Sequence, residues 1–126
     1  IYPDYNETAR ELIYAYLKQY HWGEEGLFAP YQPFLSEPLK NSPFEGEDKQ
    51  ENYHILQRAI REQGTVIPPM FSAYLNLTND LQFFGNAIND ELANVYETGI
   101  MVDLNTVYPE KKERYINPYV EWLKGL

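Results

Sequence analysis

The residues best placed for chemistry lie in one extended stretch. Val95 to Leu104 reads VYETGIMVDL, and Glu97 stands two residues before Gly99. In a strand those two share a face. A glycine there lets a ligand or a second backbone approach closely. A partly desolvated carboxylate beside it can act as a general base. Glu97 is therefore the candidate catalytic group. Its competing use is a cross-strand polar pair, with Asn86 as the partner. Asp103 follows on the same face and reads as a turn-side group. Phe84 and Gly85 lie in the preceding strand, in the chain's nearest approach to a phosphate loop. With Gly99, and with Tyr74 on the helix before them, they make up the candidate substrate-binding set.

Other reactive groups are sparse. The chain has two histidines, and neither His21 nor His54 has a partner at metal-ligand spacing. Ser36, Ser42 and Ser72 lack the strand-turn-helix elbow of a nucleophile. With no cysteine, disulfides, thiolate catalysis and zinc-thiolate sites are excluded, and the compartment stays open. Lys111, Lys112 and Arg114 form the one basic cluster. It suits an acidic carrier protein or phosphates, or simply a solvated helix face.

Positioning these groups falls to helices on either side of a hairpin. Ala9, Leu12, Ile13, Tyr16, Leu17 and Tyr20 recur at helical steps and predict a helix over residues 4–20. Asp4 with Glu7 fits a capping box. Glu7, Arg10, Glu11, Tyr14 and Lys18 fall on its wetter face. Pro30, Pro33, Pro38 and Pro43 make residues 21–47 a long loop, and its scattered aromatics, Phe44 among them, predict that it packs down. A second helix over 48–63 has Asp48 and Glu51 at its start and Gly64 as a left-handed stop. Pro68-Pro69 opens a short third helix.

The period then changes to two. Residues 81–88 and 95–104 read as strands joined by a turn at Asn89-Asp90-Glu91. Tyr96, Thr98, Ile100, Val102 and Leu104 form the better core face. A lone hairpin is marginal in water, so it must pack on the helices or pair with a sheet outside this chain. Pro109 starts a charged helical tail, and Asn117-Pro118 restarts or kinks it. The expected class is α+β: about four helices with a β-hairpin in the C-terminal half, in a single domain spanning residues 1–126.

Bulk composition narrows the partners. Apolar residues make up 44% of the chain, enough for one modest core. The net charge of −9 disfavours nucleic acid and an anionic membrane surface, both of which attract positive charge. No apolar run approaches the ~20 residues needed to span a bilayer.

Several stretches together resemble a known family. Ile67-Pro68-Pro69-Met70 with Ala73-Tyr74-Leu75, Phe84-Gly85-Asn86-Ala87-Ile88-Asn89-Asp90, Tyr96 to Asp103, and Pro109 to Arg114 are similar to hemolysin-like acyltransferases of the GNAT superfamily, related to the enzymes that form lyso-ornithine lipids. Tyr5-Asn6 through Lys18 looks like the helix that precedes these motifs in the family. The resemblance implies the second half of a GNAT fold, the C-terminal part of a longer chain. It implies transfer of a fatty-acyl group from acyl carrier protein or CoA to an amine of a lipid precursor. The setting it implies is cytoplasmic, peripheral to the inner membrane. The donor-binding segment lies upstream in that family, so this part alone would hold no cofactor. Its partner would be the missing N-terminal half or a self copy. The alternative is a non-catalytic domain that assembles through the hairpin edge.

Overall fold

The computed structural model describes residues 1–23, 33–34 and 41–126. Leu27, Phe28, Tyr31 and Leu35, expected to pack a long loop onto the body, lie outside the described residues, and of Phe34 only the backbone is described.

The order is α1 (Glu7–Tyr20), β1 (Pro33–Phe34), α2 (Lys49–Glu62), α3 (Pro69–Leu75), β2 (Gln82–Asn89), β3 (Val95–Met101) and a C-terminal helix. That last helix comprises α4 (Pro109–Lys111), a wide π turn (Lys112–Ile116) and α5 (Asn117–Lys124). The α+β expectation holds, with the hairpin in the C-terminal half. The short β1 was not anticipated: it pairs antiparallel with β2, Pro33 opposite Ala87, and makes the sheet order β1-β2-β3.

Helix α1 starts later than its sequence suggests. Asn6 is the cap, and its side chain accepts from the Ala9 N–H at 2.9 Å, so the Asp4 capping box does not form. Helix α2 is capped as expected, with Asp48 accepting from the Glu51 N–H at 2.8 Å. The Glu51 carboxylate reaches back to the N–H of Glu47. Gly64 follows at φ +80°, a left-handed stop that costs glycine little.

Ile13, Leu17, Leu56 and Ile60 are fully buried where α1 packs on α2. Phe83 of β2 closes the same core against α1. Phe44 is buried and sets its ring against Tyr16 and Tyr20, as the loop aromatics predicted. Two members of the expected wet face of α1 are instead buried: Arg10 and Tyr14. The sheet covers that side of the helix, and the Arg10 guanidinium lies 4.2 Å from the Tyr96 ring centroid. A helical stripe in the sequence marks the widest apolar face, but not a second face that a sheet later covers.

A bulge interrupts the hairpin. Phe83 faces Ile100 and Asn86 faces Thr98, so Phe84 and Gly85 together oppose Gly99. Gly85 takes φ +106°, the conformation such a bulge favours in glycine. The extra residue breaks simple alternation, so Phe83 and Phe84 are both buried. The turn holds Ala93 and Asn94 at positive φ, and Asn89 accepts from the Glu91 N–H. β3 ends at Met101, earlier than residue 104, and Leu104 is exposed in a short 3-10 turn. Thr78, fully buried, donates to the Thr106 carbonyl at 3.0 Å and pins the chain leaving the hairpin to the chain entering it.

Candidate functional site

The hairpin and α3 enclose an apolar cleft of about 490 Å³. Met70, Phe71, Tyr74 and Leu75 of α3 form one wall. β3 from Val95 to Ile100 forms the other, over Leu17 and Leu81. Ile1 sits at the Tyr96 end, its backbone bonded to Tyr96 in both directions. The local sequence explains the shape. Pro69 starts a helix too short to bury a full stripe, and its side chains at steps of one and four turn toward β3. The size falls in the range typical of small-molecule sites, about 300–1,000 Å³.

Two of the five sequence candidates meet at this cleft. Tyr74 is in the α3 wall, and Glu97 is at the rim of β3. Glu97 is exposed and accepts from the Asn89 side-chain amide at 2.9 Å. It therefore makes the cross-strand polar pair foreseen for it, but with Asn89. Asn86 is taken by Thr98, whose hydroxyl donates to the Asn86 side-chain oxygen at 2.8 Å. The bulge is the cause, because it shifts the register by one residue on one side of Gly99.

Phe84, Gly85 and Gly99 do not line the cleft. They form the bulge. Phe84 is buried against Gly23, where an added Cβ would come within 2.4 Å of its ring. The segment at Trp22 runs parallel to β2 there, with the Phe83 N–H donating to the His21 carbonyl at 2.6 Å.

Behind the β3 wall lies a buried polar cluster that the sequence did not reveal. Arg10 packs on Tyr96 and approaches Glu11 at 3.3 Å. Burial pushes the Tyr14 hydroxyl up to about 12; Thr98 beside it and the Arg10 charge pull the other way. Only the i, i+4 spacing of Arg10 and Tyr14 hinted at a shared face. His21 is also buried, and its Nδ1 donates to the Leu81 carbonyl at 2.9 Å. Burial holds its pKa below the ordinary value, the Leu81 bond offsets part of that, and Lys49 adds to the lowering. His54, by contrast, is exposed on α2 beside Gln57.

The cleft can hold an apolar chain between α3 and β3, with one carboxylate at its mouth. Among the described residues no three metal-ligating side chains come together. Nor is any described helix long and apolar enough to cross a membrane.

Comparison with known proteins gives a consistent direction. No family model matches the chain, and no solved structure matches it significantly. The chain is 33% identical over 124 residues to a glycine N(alpha)-acyltransferase of Bacteroides thetaiotaomicron. It is 32% identical over 124 residues to a protein of the same name from Phocaeicola vulgatus. Each alignment takes in 96% of this chain, yet the chain spans only 37% and 38% of those relatives' lengths. Residues 1–126 are thus similar, nearly end to end, to part of two acyltransferases.

Proposed function

We propose that residues 1–126 form the acyl-chain and acceptor side of a GNAT-like N-acyltransferase, related to the hemolysin-like lipid acyltransferases. The observation that carries this reading is the apolar cleft with Glu97 at its rim. The similarity to acyltransferases supplies the reaction class. The donor is a long-chain thioester of acyl carrier protein or CoA, held largely by other parts of a longer protein. The acceptor is a primary amine, with glycine, the substrate in both relatives' names, as the first candidate.

The reaction needs three things of this part. The acyl chain lies in the cleft between Phe71, Leu75 and Ile100, where leaving water favours it by roughly 0.8 kcal/mol per methylene. That binding holds the thioester carbonyl at the mouth. The amine nitrogen attacks the carbonyl carbon, the C–S bond breaks, and the sulfur leaves with the bonding electrons as a thiolate. Glu97 holds the acceptor and takes the proton that the amine gives up.

The test uses the full-length protein, with a long-chain acyl-CoA or acyl-acyl carrier protein and glycine. Mass spectrometry reads the N-acylglycine formed. Glu97→Gln is expected to lower kcat/KM on the order of 100-fold with acyl binding intact. Leu75→Trp is expected to shift the preference toward shorter acyl chains, because the indole occupies cleft volume. No product from the wild type, or wild-type rates and chain preference in both variants, would overturn the proposal.

A further inference from the structure

The Glu97 carboxylate is held by a side chain that is itself held by a turn. Ala87 of β2 lies opposite Glu97 of β3. Asn89 stands two positions further along β2, so its side chain projects to the same face, diagonal to Glu97. Asn89 Nδ2 donates to Glu97 Oε1 at 2.9 Å. The other end of the same amide is also engaged: Asn89 Oδ1 accepts from the Glu91 N–H at 3.1 Å. The Asn89 backbone carbonyl accepts from the Leu92 N–H at 3.2 Å.

These bonds fix which way the amide faces. A backbone N–H only donates, so the amide oxygen must meet Glu91, and the NH2 group is left to face Glu97. An asparagine bonded to its own backbone two residues on is a turn in itself, so the local chain sets the donor in place. The bulge at Phe84 and Gly85 contributes as well. It leaves Asn86 tied to Thr98, and the amide that meets Glu97 comes from the turn end of β2.

Glu97 needs such a partner. It is exposed, and a glutamate side chain on a surface strand has several rotamers open to it. A general base works only when held within roughly 0.5 Å of its productive position. Among the described residues no hydrogen bond takes Glu97 Oε2. One oxygen is therefore anchored and the other is left for a substrate. The donor is neutral, so it orients the carboxylate without cancelling its charge, as a lysine would.

We propose that Asn89 is the positioning residue of this site: it fixes Glu97 Oε1, so that Oε2 meets the incoming amine at the cleft mouth. The inference rests on the reading of Glu97 as the general base.

The experiment uses the full-length protein and the N-acylglycine assay. Asn89→Asp keeps the turn, because aspartate also accepts from the N–H two residues on. It replaces the donor with a carboxylate oxygen, which repels Glu97. The expected result is a fall in kcat of about 10- to 100-fold, with the KM for the acyl donor unchanged. Combined with Glu97→Gln, the substitution is expected to lower turnover no further than Glu97→Gln alone, since a residue that acts through Glu97 then has nothing left to position. Losses that multiply in the double variant would overturn the inference. So would a wild-type kcat in Asn89→Asp beside a defective Glu97→Gln, and both results leave the functional proposal standing. Wild-type turnover in Glu97→Gln would remove this inference together with the role given to Glu97. A second measurement needs no Asn89 variant. By NMR, one side-chain amide proton of Asn89 is expected to exchange slowly with solvent and to lose that protection in Glu97→Ala. Equally fast exchange in both proteins would overturn the inference even where Asn89→Asp fails to fold.

Discussion

At the scale of single residues, position and environment separate groups that look alike in the sequence. Glu97 and Asp103 share a strand face on paper, yet Glu97 reaches the cleft rim while Asp103 caps the turn that follows β3. His21 and His54 differ more. His54 lies on an exposed helix face, and His21 is sealed between Tyr16 and the Leu81 carbonyl. Nδ1 of His21 donates to that carbonyl, while Nε2 is buried with no hydrogen-bond partner among the described residues, an arrangement that suits the neutral ring. Its folded pKa is depressed, so the unfolded chain takes the proton first as pH falls. The His21 contribution to stability is therefore complete above about pH 6.5 and is lost progressively below it. Denaturant titrations between pH 7.5 and 5 are expected to show falling stability, with at most about 1.4 kcal/mol per pH unit from this group. His21→Gln should flatten that slope. An unchanged slope would mean that His21 is not the group responsible.

At the scale of elements, the bulge in β2 organises the site. Two residues opposite Gly99 shift the register, and that shift gives Asn86 to Thr98 and Asn89 to Glu97. The bulge also buries Phe84 under Gly23, on the far side from the cleft. Gly23→Ala would drive a methyl group into that ring, and the ring, itself buried, would have to shift. The expected cost is about 1–3 kcal/mol, read as a lower urea midpoint. If the midpoint does not move, the Trp22 segment is not held against β2 in solution. The C-terminal helix behaves differently. Pro118 has no N–H to give the turn before it, and the wide turn at Lys112–Ile116 accommodates its ring. Beyond that turn, α5 exposes Tyr119, Trp122 and Leu123 and packs on no other element among the described residues.

At the scale of the molecule, the core is built without that last helix. Removing residues 117–126 from the full-length protein is therefore expected to shift Tm by no more than about 2 °C, measured by calorimetry. A large drop would show that α5 docks on residues outside those described. The sequence by itself determined the α+β class, because helical and two-residue periods follow from which side chains face the core. It also placed the caps at Asp48 and Gly64, since capping depends on residue type and local backbone alone. The family resemblance pointed to acyl transfer, in the direction that the similarity to two glycine acyltransferases also indicates. It did not show the burial of Arg10 and Tyr14, the two residues that give Phe84 and Gly85 their place in a bulge, or the β1 pairing. Each depends on which distant segment covers a given surface, and local pattern carries no record of that. The cleft itself was also decided only by the tertiary structure. Tyr74 and Glu97 are 23 positions apart in the chain, and they share a site because α3 and β3 each pack on the same core, leaving an apolar gap between them.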